Sequence, residues 1–97
     1  MFARITTIKF KVDRLDEGVK LYQSSVVDAA RMQTGFRGAS FLTDRANSKA
    51  ISITLWENEE AAIANERSGY YQEQIRKFKD LMMEPPTREG YEVSIQA

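Results

Sequence analysis

From Lys49 to Trp56 the chain alternates Ile51, Ile53 and Leu55 with Ser52, Thr54 and Trp56, so a strand built from this run has no charged face. Such a strand cannot leave one side in water. It belongs to a sheet that carries helices on one face and has its other, apolar face buried by something else.

The neighbouring runs supply the rest of that sheet. Phe2 to Val12 is dense in β-branched and aromatic residues, with Ile8, Phe10 and Val12 alternating with Lys9 and Lys11, and reads as the first strand. Phe36 to Thr43 is the second, joined to the Lys49 run by the polar, turn-forming residues Asp44 to Ser48. Tyr91, Val93 and Ile95 alternate with polar neighbours as the fourth. Between the first two strands, Leu15, Val19, Tyr22, Val26 and Ala29 recur at steps of four and three, the buried stripe of an amphipathic helix. Asp13 and Asp16 stand where they can cap its start, and Thr34-Gly35 closes it. Asn58, Glu59 and Glu60 open a second helical region that breaks at Ser68-Gly69. It resumes with Tyr71, Ile75, Phe78 and Met82 on one side and Glu73 a turn before Lys77, until Pro85-Pro86 forbids more helix.

The order β-α-β-β-α-β predicts a ferredoxin-like α+β fold: one antiparallel four-stranded sheet with both helices on a single face. No linker, repeat or low-complexity tract divides the chain, so residues 1–97 read as one domain. A domain of this length buries only about 60–65% of the surface its unfolded chain exposes, which makes a partner subunit a natural stabiliser. Pairing the uncovered sheet face with its copy across a two-fold axis would close two sheets into an α+β barrel with the helices outside, so a homodimer is expected.

Composition narrows the chemistry. The chain has no histidine and no cysteine, which argues against zinc, thiol, Ser-His and His-ligated haem chemistry; neither a metal nor a cofactor is expected. Lys+Arg and Asp+Glu both number 14, so no net field draws nucleic acid or an anionic membrane. Arg4, Lys9 and Lys11 interrupt the N-terminal apolar residues, leaving neither a secretory h-region nor a membrane span of roughly 20 residues. A cytoplasmic location is the expectation. Without histidine, a general base near neutrality would be a carboxylate, a perturbed lysine or the substrate's own ionisation. Glu66 is the carboxylate beside Asn65, about 100° around the helix from it.

The run Trp56-Glu57-Asn58-Glu59-Glu60-Ala61-Ala62-Ile63-Ala64-Asn65, continuing into Ser68-Gly69-Tyr70-Tyr71, resembles the antibiotic biosynthesis monooxygenase (ABM) domain of the dimeric α+β-barrel superfamily. That family shows a strand ending in Trp, an acidic and Ala-rich helix start, a His about nine residues after the Trp, then Ser before an aromatic. Here Asn65 stands in the place of the His. A looser likeness covers the whole chain, including Phe10-Lys11-Val12 and Gly35-Phe36.

The resemblance implies a homodimer with a pocket between sheet and helices in each protomer, used in some relatives for cofactor-independent oxygenation of polycyclic phenols. An electron-rich phenolate can itself reduce O2, so the protein supplies a dry cavity, orientation and polar groups that stabilise the developing anion. On this reading Trp56, Asn65 and Tyr71 form the catalytic set, Trp56 as a wall and the other two as orienting groups. Ser52, Thr54 and Thr7 bind the small aromatic or phenolic substrate.

Each of these residues also has a plain structural explanation. Trp56 can be a core plug at a strand end, Asn65 a locally bonded helix amide, and Tyr71 ordinary core. Adjacent in a helix, Tyr70 and Tyr71 sit about 100° apart, so only one is expected to face a pocket squarely. The competing function is a non-catalytic dimer holding a small hydrophobic ligand. Haem-degrading relatives use an axial His and a first-strand Asn, where this chain has Asn65 and Thr6-Thr7-Ile8. An RNA-recognition module would carry its Gly-aromatic motif on the third strand, whereas Gly35 to Phe41 opens the second.

Overall fold

In the computed structural model, which describes all 97 residues, the strands are β1 (Phe2–Lys9), β2 (Phe36–Asp44), β3 (Lys49–Trp56) and β4 (Thr87–Glu92). They form one antiparallel sheet in the order β2-β3-β1-β4, with β3 and β1 in the centre. The helices are α1 (Leu15–Leu21), a π-helical stretch Tyr22–Val27 that leads into α2 (Asp28–Arg31), α3 (Glu59–Arg67) and α4 (Tyr70–Phe78), which ends in a 3-10 turn at Lys79–Leu81. The ferredoxin-like arrangement read from the sequence is the observed one. No helix is long and apolar enough to cross a membrane.

Register assigns the faces. Phe2 pairs with Trp56, Arg4 with Thr54, Thr6 with Ser52 and Ile8 with Ala50, and the buried members of this set lie under the helices. The intervening pairs, Ala3 with Leu55, Ile5 with Ile53 and Thr7 with Ile51, look the other way. On that open face Ile5, Ile51, Ile53 and Leu55 remain half-buried, and Leu42 of β2 is exposed.

Local chemistry moves several boundaries. β1 stops at Lys9; Phe10 makes only an isolated bridge to Met82, and Val12 is exposed. Asp13 does not cap α1: it takes a left-handed φ of 66°, Arg14 is the N-cap, and no side chain bonds the helix start. Asp16 instead accepts from Arg45 at 2.7 Å. The first helix ends at Arg31, three residues before Thr34-Gly35, and its buried stripe is Leu15, Gly18, Tyr22, Val26 and Ala30 rather than the 3.6-residue series. The π-helical stretch explains the change, because its wider turns keep steps of four on one face. Gly18 replaces Val19 in the stripe since the Phe10 ring lies against it; a Cβ there would stand 2.5 Å from Phe10 Cζ.

Asn58 caps α3 as expected, accepting from the Ala61 N–H at 2.9 Å, and Gly69 breaks the helix with φ 87°. Glu73 pairs with Arg76 rather than Lys77, whose ammonium reaches Ser25 Oγ. β4 begins at Thr87, ahead of the Tyr91–Ile95 alternation; Val93 donates its N–H to Met1 O, and Ile95 is exposed.

The core is split. One apolar cluster gathers Phe10, Tyr22, Val26, Phe78 and their neighbours, and a smaller one holds Phe2, Trp56 and Ala62. Polar residues occupy the space between them.

Candidate functional site

Only four polar residues are buried, Thr6, Ser52, Asn65 and Gln74, and all four line the same cavity between the sheet and the helices. Burying polar groups in a small core costs free energy unless they are bonded, so their convergence on one space makes it the candidate site. β1 and β3 present Thr6, Ser52, Thr54 and Trp56 from below. Tyr22 and Val26 come from the π-helical stretch, and Asn65, Glu66, Tyr70, Tyr71, Gln74 and Ile75 from α3 and α4.

Most of the polar groups are partnered. Tyr22 Oη and Ser52 Oγ share a hydrogen bond of 2.8 Å, and Tyr70 Oη donates to Val26 O at 2.9 Å. Gln74 Oε1 accepts from Ser25 Oγ at 2.9 Å. Trp56 is only 2% exposed and its Nε1–H donates to Thr54 Oγ1 at 3.0 Å, so the indole is at once core plug and cavity wall, with its donor engaged. Two buried donors have no partner: Asn65 Nδ2 and Arg4 Nε. Both residues line the cavity, and an unmet buried donor costs about 1–3 kcal/mol. An acceptor oxygen placed in the cavity would remove that cost.

At the rim, Glu66 is gripped by two arginines. Arg4 donates to Glu66 Oε1 and Arg88 Nη1 lies 3.0 Å from Oε2, and the Arg88 guanidinium sits 4.5 Å from the centre of the Tyr71 ring. Two cations against one carboxylate leave this cluster net positive. Gly90 makes it possible: it pairs with Arg4 across the sheet, and a Cβ there would stand 2.6 Å from Phe2 Cζ and collide with the Arg4 guanidinium. Burial pushes the Tyr22, Tyr70 and Tyr71 phenols above their ordinary pKa, Tyr70 furthest. All three are therefore neutral donors near pH 7. No group of three or more Asp and Glu side chains is close enough to hold a metal ion.

Of the residues singled out from the sequence, Trp56, Asn65, Tyr71, Ser52 and Thr54 meet at this cavity. Thr7 does not. It pairs with Ile51 and Thr87 on the open face of the sheet, and Thr6, one residue earlier, occupies the cavity side, because strand side chains alternate. Tyr70 and Tyr71 both reach the cavity despite being adjacent, since Tyr70 starts α4 directly after the left-handed Gly69. Glu66 also reaches it, yet its carboxylate is held by arginines rather than free as a base. Sequence reasoning missed Arg4, Tyr22, Gln74 and Arg88; a glycine inside a strand, Gly90, was the available sign of a close approach.

The cavity is small, about 50 Å3, room for a few waters and well below the roughly 300 Å3 at which ligand pockets begin.

No family model matches the chain. Two uncharacterized proteins from two strains of Mycobacterium tuberculosis are each 34% identical over 62 residues, 64% of this chain. The match spans 28% of the length of these curated relatives. Among solved structures, the ActVA-Orf6 monooxygenase of Streptomyces coelicolor, in complex with nanaomycin D, superposes with a TM-score of 0.80 at 20% identity, over 93% of this chain and 84% of that one. A Deinococcus radiodurans protein named as an antibiotic biosynthesis monooxygenase gives 0.81 at 15% identity, over 100% and 96%. A Nitrosomonas europaea protein of unknown function gives 0.81 at 14% identity, over 99% and 91%. The chain thus shares its fold with structures that carry the name of the family its sequence resembles.

Proposed function

We propose that this chain is a cofactor-independent monooxygenase of the antibiotic biosynthesis monooxygenase type, acting on a small aromatic or phenolic substrate. The observation that carries the reading is the unpartnered Asn65 Nδ2 donor inside a cavity walled by Trp56, Tyr22, Tyr70 and Tyr71. Flat apolar walls suit an aromatic ring, and a free amide N–H beside them suits its oxygen. Asn65 then stabilises the negative charge on the substrate oxygen once the phenol ionises, with Arg4 Nε as a second donor. Tyr71 donates from the rim, Ser52 and Thr54 fix the ring from the strand, and Trp56 excludes water.

Because Glu66 is occupied by Arg4 and Arg88, the substrate's own acidity supplies the anion, and the net positive rim favours it. The phenolate passes an electron to O2. For an anthrone-type substrate, one oxygen atom then ends on the reacting CH2 carbon as a carbonyl and the other leaves as water with both of that carbon's hydrogens. The protein's share is orientation, dryness and charge stabilisation.

The same reading includes a homodimer through the open sheet face, where Ile5, Ile51, Ile53 and Leu55 await cover. One observation favours a second reading, a dimer that binds a small hydrophobic molecule without transforming it: a cavity of about 50 Å3 admits no fused-ring substrate unless side chains move. Oxygen uptake on incubation with anthrone separates the two. Catalysis predicts a rate that rises with protein and drops on Trp56→Phe and Asn65→Ala. A rate indifferent to the protein, or to both substitutions, leaves binding alone.

A further inference from the structure

A fused-ring ligand at Asn65 needs several times the cavity's volume, so it must borrow space from a neighbour. Tyr71 and Ile75 also line a second depression, an open groove of about 490 Å3 floored by Met82, Met83, Pro85 and Pro86. No other residue is common to the two linings. We propose that Tyr71 and Ile75 form a movable partition, and that with the Tyr71 ring swung aside the cavity and groove become one elongated site. In that site the acceptor oxygen of an uncharged or phenolic fused-ring aromatic meets Asn65, and its far rings lie over Met82, Met83 and Pro86. This deepens the proposed function and rests on it.

Two contacts hold the partition. Tyr71 is half-buried, its hydroxyl is paired with the Thr6 side chain, and its ring lies under the Arg88 guanidinium from β4, an edge strand whose residues Thr87 to Glu92 are all exposed; a ligand oxygen in the cavity can replace the Thr6 partner. A cation–π grip near the surface shifts an equilibrium by only about two- to fivefold. Ligand contact with the free donors inside is enough to oppose it. Opening also leaves Arg88 its carboxylate partner, Glu66.

The groove's chemistry indicates which end of the ligand it receives. Arg76 is bound to Glu73 at 2.6 Å, and Lys79 and Glu84 on the rim balance each other, so no net charge selects an ionic group. The polarisable thioethers of Met82 and Met83 and the rings of Pro85 and Pro86 suit the face of an aromatic system. Polar recognition is confined to the cavity end.

Calorimetric titration with phenol, a one-ring probe, and anthrone, a three-ring probe with one carbonyl oxygen, tests the partition. Met83 is exposed and lies outside the cavity lining, so Met83→Trp blocks the groove without altering the Asn65 end, and Met83→Phe blocks it partly. Expected are anthrone affinities lower by about tenfold or more in Met83→Trp and by less in Met83→Phe, with phenol within about twofold throughout. Unchanged anthrone affinity, or equal losses for both probes, overturns the partition. Should the unsubstituted protein bind phenol but not anthrone, the partition fails and the site at Asn65 stands. Binding of neither probe overturns both.

Discussion

Replacing Asn65 by leucine should stabilise the fold while destroying the site. Asn65 is 93% buried, being 7% exposed, and its Nδ2 has no partner within the protein; a donor left unmet in this way costs the native state about 1–3 kcal/mol. Leucine branches at the same carbon, has no donor, and is the better helix former by a few tenths of a kcal/mol, about 0.4. Its extra bulk points into an existing cavity of about 50 Å3, which limits the overpacking cost to about 1 kcal/mol. The net gain is about 1–2 kcal/mol, or roughly 4–15 °C in thermal midpoint for a domain of this size. Urea unfolding and calorimetry measure the first half of the statement; phenol binding and anthrone-dependent oxygen uptake measure the second. If Asn65→Leu lowers stability by about 1 kcal/mol or more, the amide N–H is satisfied in solution and the reasoning from an unmet donor collapses. A stabilised variant that keeps full ligand affinity is equally damaging, since the donor would then be irrelevant to binding.

Other outcomes follow from the same geometry. Gly18→Ala should destabilise by about 1–3 kcal/mol in urea titration despite the usual gain of removing a helix glycine, because the new methyl overlaps the fully buried Phe10 ring. Burial raises the folded-state pKa of Tyr22, Tyr70 and Tyr71, so their contribution is present in full below the ordinary tyrosine value of 10.0 and is lost as the pH climbs above it. Urea midpoints measured from pH 8 to 11 should therefore fall above pH 10 and fall less steeply in Tyr70→Phe; equal slopes would show that Tyr70 stays exposed. Ile53→Lys, on the open sheet face, should convert the proposed homodimer to a monomer in sedimentation while leaving far-ultraviolet circular dichroism intact.

Much of the architecture was legible in particular residues. Ile51 to Trp56, with no charge on either face, pointed to a strand covered on at least one side; β3 spans the expected Lys49–Trp56, and Ser52 and Trp56 are buried under the helices. Asn58 and Gly69 marked helix boundaries through capping and left-handed geometry, which are local effects. The Trp56-to-Tyr71 run brought the cavity residues Trp56, Asn65 and Tyr71 to attention, because a strand end and the following helices necessarily share one junction. Thr7 failed for an equally local reason: residues that alternate Thr6-Thr7 without a size or charge contrast do not reveal which one faces the helices.

What the sequence by itself determined is the order of elements, the exclusion of histidine and cysteine chemistry, and the placement of a neutral amide at Asn65. Periodicity and capping depend on residues within a turn or two of one another, so they can be read along the chain. Only the tertiary structure decided that Arg4, 62 positions before Glu66, would clasp it together with Arg88, tying up the one nearby carboxylate. It also decided that the π-helical stretch would rotate Tyr22 and Val26 over the cavity, and that Tyr71 would stand between a small polar chamber and an apolar groove. Those facts depend on which distant surfaces come to rest against each other, and no spacing within a single element encodes that.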